Sequence, residues 1–226
     1  MNEDYAYLAA RVPPGGRRFI ESALSGDLLA AAGLVGALGE LRALQLGLLL
    51  FKERRAPLAC RGLVQAAWAL DSQKVLAVIE LDRLAELFAF AGFSRPSGDV
   101  VQLWRGAAGT SVAETAAGLS WCTGYAFACT FAMNRSFRGG GAPMVVTAVV
   151  PSRDVVLFTR NALLGQDQEA VLFNPPENPK MAGSPAEWRR ETMSLAFDSL
   201  LRAPEDILAG WKRFREYREP SVGGDA

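Results

Sequence analysis

The fold turns on FSRPSGD (Phe93–Asp99) and the VVQLW (Val100–Trp104) that follows it. Pro96, Gly98 and their polar neighbours form a turn cluster, and the chain changes texture across it. Upstream, residues 1–95 are rich in Ala and Leu, poor in β-branched residues, and punctuated by stop signals. A short helix is expected over Arg17–Ala23. Asp27 is placed to cap the next, which runs to Gly39 or on through Leu50. The charged KERRAP (Lys52–Pro57) breaks the chain, because proline removes a donor and disfavours helix before it. Leu58–Trp68 is again helical, and Asp71 or Ser72 caps a segment carrying Val75, Leu76, Val78 and Ile79. Over Asp82–Phe90 the apolar spacing of Leu84, Leu87, Phe88 and Ala91 is helical.

Downstream the runs are short and of strand type. Val100–Trp104, Gly118–Cys122, Met144–Val150, Asp154–Phe158 and Glu169–Phe173 are predicted strands, with an alanine-rich helix over Tyr125–Met133 between the second and third. RSFRGGGAP reads as a flexible connection. It lacks the Gly-Lys-Ser/Thr ending of a phosphate loop and precedes a strand. After the turn-rich NPPENPK come two tail helices, Ala186–Leu201 and Pro204–Tyr217. Strands with one internal helix and no βαβ alternation predict an α+β fold: a helical N-terminal part (1–95), then a mixed or antiparallel β core with a helical tail (96–226).

Composition excludes several chemistries. The 226 residues carry 24 basic and 24 acidic side chains and no histidine. Ser-His and Cys-His nucleophile pairs and histidine metal sites are therefore absent. Zero net charge supplies no global pull toward nucleic acid or anionic lipid. Cys60, Cys122 and Cys129 are too few and too widely spaced for a disulfide framework, and no C-x-x-C occurs. They are expected to be buried, reduced and metal-free. The opening MNEDYAYLAARVPPGG is acidic and then turn-forming, unlike a secretory leader. The apolar Leu28–Phe51 is interrupted by Glu40 and Arg42 and reads as buried helix, not as a membrane span. The expected location is cytoplasmic. In the tail, Trp211, Phe214 and Tyr217 alternate with basic residues, which reads as an amphipathic helix docked on the body ahead of a nucleic-acid patch.

Three short elements carry candidate chemistry. Arg105 and Gly106 end a predicted strand, Ser120 lies on a strand just before a helix, and Asp167 and Glu169 stand two apart at a strand entrance. Alternate residues of an extended chain point the same way, so the two acids can share a cleft. The order Arg, Ser, acid-x-Glu, over about Val100 to Pro175, resembles the mono-ADP-ribosyltransferases of the Arg-Ser-Glu class. GLSWCTGYAFACTFAM and the EAVLFNP that begins at Glu169 resemble uncharacterised bacterial and prophage members in particular. RAPLACRGLVQAAW is similar to the leader region of such proteins.

The resemblance implies an ADP-ribosyltransferase-like core, NAD as substrate, and no metal. It implies Glu169 as the carboxylate that stabilises a developing oxocarbenium ribose, with Ser120 bonding the ribose and steadying Glu169. Arg105 would fork onto pyrophosphate or ribose oxygens, Gly106 would let backbone approach the nicotinamide amide, and Phe127 or Phe131 would either stack on a ring or pack in the core. Asp167 takes the acceptor-directing position, where relatives carry Glu or Gln. Ser120-Trp121-Cys122 replaces a Ser-Thr-Ser-like triplet. A second class of these enzymes uses histidine in place of the arginine, and this chain has none. The acceptor implied is a macromolecule, a protein ahead of a nucleic acid, with a toxin or effector setting, and an antitoxin or host target as partner. An NAD glycohydrolase and a catalytically silent prophage-type interaction protein are the alternatives.

Overall fold

The computed structural model of the protein describes residues 2–109, 111–160 and 168–196. The helices, in chain order, begin with α1 (Glu3–Ala9), a 3₁₀ turn (Pro14–Phe19), α2 (Ile20–Leu24), α3 (Leu28–Leu38), α4 (Glu40–Lys52), α5 (Pro57–Leu76) and α6 (Leu81–Ala91). There follow β1 (Val100–Ala108), α7 (Val112–Ala116), β2 (Ser120–Cys122), α8 (Tyr125–Arg135), β3 (Pro143–Pro151), β4 (Val155–Arg160), β5 (Gln168–Leu172) and β6 (Lys180–Met181). The strand order is β4-β5-β2-β1-β3-β6. The pairs β4–β5, β2–β5 and β3–β6 are antiparallel. The architecture is α+β.

The chain divides into two compact units that do not follow a cut at residue 95. The first comprises residues 1–103, 117–123 and 148–178, so it joins the N-terminal helices to β2, β4 and β5. The reason is packing. Phe88 of α6 stacks on Phe173, just past β5, with ring centroids 6.2 Å apart. Ser94 Oγ donates to Phe158 O of β4 at 3.1 Å. The helical layer has a continuous core through Leu8, Ile20, Leu34, Leu50, Leu63 and Leu84, all fully buried.

Local chemistry explains the helix ends. The Asp27 carboxylate accepts from the Leu29 and Ala30 amides at 2.8 and 3.3 Å, capping α3. At Gly39 φ is +79°, a region that side-chain-bearing residues rarely adopt, and α3 stops there. The α4 helix then leaves at 120° to α3. No single helix among the described residues is long and apolar enough to cross a membrane. The KERRAP break is real: Arg54 and Ala56 both take positive φ between α4 and α5. Arg55 there pairs with Asp4 at 3.0 Å and Glu3 at 3.5 Å, holding α1, a helix too short to show a periodic apolar pattern. The expected restart at Asp71 or Ser72 does not occur. Instead α5 runs unbroken from Pro57 to Leu76, because a capping-type residue costs little inside a helix and no Gly or Pro lies between Leu63 and Leu76. In α6 the stripe of Leu84, Leu87, Phe88 and Ala91 is buried as its spacing predicts.

The second unit comprises, among the described residues, 104–116, 124–147 and 179–196. Strand β1 extends four residues beyond the expected end. Gly106 allows this, because a Cβ there would lie 1.7 Å from Ala128 O of α8. The short α7 and the two-residue β6 carry too few residues for a periodic signal. Residues 185–196 are helical. Ser184 caps them reciprocally: its Oγ accepts from the Glu187 amide at 3.4 Å and donates to Glu187 Oε2 at 2.9 Å. The buried Trp188 indole donates to Ala182 O at 2.5 Å. The expected helix over Pro204–Tyr217, with its aromatic and basic residues, lies outside the described residues. All three cysteines are buried and free.

Candidate functional site

Strand β5 carries one charged side chain among buried apolar ones. Ala170, Val171 and Leu172 are buried, and Glu169 alone brings a charged group into the row. Its register fixes its neighbours: Glu169 pairs with Cys122 of β2 on one side and Thr159 of β4 on the other. Ser120 pairs with Val171, two residues along, so it shares the face of Glu169 and lies diagonally across from it. Trp121 points to the opposite face, is buried, and donates its indole N–H to Gly118 O at 3.0 Å. In Ser120-Trp121-Cys122 the tryptophan therefore anchors the short strand from behind, and the flanking residues face the carboxylate.

Two neutral donors converge on that carboxylate. The Ser120 hydroxyl bonds to it. The Trp68 indole N–H donates to Glu169 Oε1 at 2.9 Å. Burial is the larger influence and pushes the Glu169 carboxyl above its ordinary value. The two hydrogen bonds pull the other way, because both favour the charged form. The result is a partly buried carboxylate in an apolar setting, fixed among the described residues by two neutral donors. Such a group can accept a further hydrogen bond from a substrate hydroxyl, or stabilise positive charge developing beside it.

Trp68 is the residue that sequence reasoning missed. It stands at the end of RAPLACRGLVQAAW, in a helix whose other residues are mostly small or apolar. The available signal was the tryptophan itself: a buried indole N–H has to find an acceptor.

Four further candidates lie in the second unit. On β1, Arg105 Nε donates to Thr115 O at 2.8 Å, tying the strand to the end of α7. Gly106 packs against the α8 backbone, which gives it a structural reason to be glycine. Phe127 and Phe131 sit one turn apart on α8 with rings edge to face at 4.9 Å, and Phe131 is 45% exposed. Asp167 lies outside the described residues. Among the described residues no three Cys, Asp or Glu side chains gather as a metal-ligand set.

The chain matches no family model, no curated protein and no solved structure.

Proposed function

We propose that the protein is an NAD-dependent mono-ADP-ribosyltransferase, with an ADP-ribosyltransferase-like core and Glu169 as its reactive carboxylate. The observation that carries this reading is the contact of Ser120 with Glu169: a serine and a glutamate from adjoining strands, on one face, hydrogen-bonded to each other. The resemblance of the sequence around both residues to the Arg-Ser-Glu class supplies the substrate.

In this reading the Glu169 carboxylate accepts a hydrogen bond from the ribose 2′-hydroxyl of NAD. The bond between the ribose C1′ and the nicotinamide nitrogen breaks, and its electron pair leaves with nicotinamide. The ribose becomes oxocarbenium-like, and the nearby negative charge of Glu169 stabilises it. A nucleophile of a macromolecular acceptor then attacks C1′ and loses its proton. Ser120 keeps the carboxylate aimed. Arg105, Gly106, Asp167, Phe127 and Phe131 enter this reading through the resemblance alone, as groups for the pyrophosphate, the nicotinamide amide, the acceptor and the rings.

The test is incubation of the purified protein with labelled NAD and cell lysate, following nicotinamide release and label on macromolecules. Turnover is expected with the wild type and should fall by about three orders of magnitude in Glu169→Gln. Wild-type-like turnover in that variant removes Glu169 from the mechanism. Free ADP-ribose without labelled macromolecule makes the protein a glycohydrolase. Neither release nor NAD binding leaves a silent fold.

A further inference from the structure

Glu169 is braced from the helical layer as well as from the sheet, and the brace is built from aromatic residues distant in sequence. Trp68 is 3% exposed and lies edge-on to Phe88, with ring centroids 5.7 Å apart and planes at 79°. Phe88 in turn meets Phe93 edge-on at 5.3 Å and stacks on Phe173. Phe173 is four residues beyond Glu169 on the same strand run. The indole is therefore held by the element whose carboxylate it contacts, and it cannot turn away without disturbing the packing of α6.

We propose that Trp68 is a positioning residue for Glu169: its indole N–H holds Oε1 in one orientation while Ser120 steadies the carboxylate from β2, so that helix α5 is a wall of the site. This rests on the reading of Glu169 as the carboxylate that meets the ribose. A carboxylate offers about four acceptor positions. Two neutral donors leave room for a substrate hydroxyl, and they add no positive charge to cancel the field on the oxocarbenium. Among the described residues, the groups beside Glu169 are Trp68 from α5, Ser120 and Cys122 from β2, and Thr159 from β4. The Cys122 thiol is the other titratable group among them. No charged side chain among the described residues contributes to the displacement of the carboxyl's titration.

Two substitutions separate the N–H from the ring. Trp68→Phe removes the donor and some volume. Replacing Trp68 by 3-benzothienylalanine puts sulfur where the N–H was and keeps the shape. In NAD-free protein labelled with ¹³C-glutamate, with the Glu169 signal assigned by its loss in Glu169→Gln, both variants should titrate at higher pH than the wild type, because a donor to the charged form is gone. With NAD, both should lose about 10- to 100-fold in kcat with KM changed less than about threefold, and the acidic limb of the pH–kcat profile should move up. An unchanged titration and kcat in the benzothienyl protein overturns the proposal, and so does a loss confined to Trp68→Phe, which would be packing alone. If the wild type does not split NAD but both variants shift the titration, the ADP-ribosyltransferase reading fails and the hold of Trp68 on Glu169 stands.

Discussion

A carboxylate held by two neutral donors in an apolar wall is costly to ionise, and burial puts Glu169 in that position. Its folded-state pKa is raised above the unfolded value, so the folded chain binds the proton more tightly than the unfolded one. The stabilising contribution is full below the unfolded pKa and is lost as pH rises through the folded pKa. Glu169→Gln keeps the acceptor oxygen for Trp68 and removes the charge. Its melting temperature should exceed that of the wild type at pH 7, and the gap should close as pH falls toward 4, measured by thermal unfolding at several pH values. A gap that widened toward acid would show the carboxylate stabilised by its surroundings. Ser120→Ala removes the other donor. It should raise the Glu169 pKa further and lower NAD turnover about tenfold, read in the nicotinamide-release assay with melting as the folding control. These two residues were legible as candidates through the order Arg, Ser, acid-x-Glu and its resemblance to the Arg-Ser-Glu class, whereas their lying on one face depends on the register of β2 against β5.

At the scale of elements, small residues set how closely strand and helix approach. Gly106 on β1 has the α8 backbone where its Cβ would stand, and backbone cannot move aside as a flexible side chain can. Gly106→Ala should cost about 3 kcal/mol or more in urea unfolding. Gly36 is the control. It is helical, exposed, and has nothing within 4 Å of a built Cβ, so Gly36→Ala should stabilise by about 0.5–1 kcal/mol. A similar cost at both positions would mean that β1 and α8 are not in close contact. The tight fit at Gly106 was not legible in the sequence. Glycine at a strand end serves a turn, a ligand or a close neighbour equally well, and the neighbour here is 22 residues further along.

At the scale of the whole molecule, the helical layer and the strands β2, β4 and β5 share one compact unit. Helices that only preceded the sheet would be removable. Helices that supply one wall of its core are not, since Phe88 and Trp68 cover Phe173 and Glu169. A chain starting at Phe93 should therefore lose the cooperative unfolding of the full protein and bind a hydrophobic dye. In the full chain, amides of α5 and β5 should exchange with deuterium together. Independent, native-like folding of the fragment would separate the helices from the sheet.

The sequence by itself determined the partition into a helical first part and a strand-bearing second part, the cap at Asp27, the buried stripe of α6, the break before Pro57 and the burial of the cysteines. The absence of histidine is equally a property of the sequence and removes whole classes of mechanism without a structure. Each of these rests on composition or on interactions within about a dozen residues, where propensity, capping and periodicity act. Tertiary structure alone decided that α5 runs straight through Asp71 and Ser72, that two residues at Lys180–Met181 pair as a strand, and that the units cut across residue 95. It also decided that Trp68 meets Glu169, 101 residues away in the chain. Those outcomes depend on which surfaces come to lie against one another, and burial and polar pairing between distant segments leave no local pattern from which to read them.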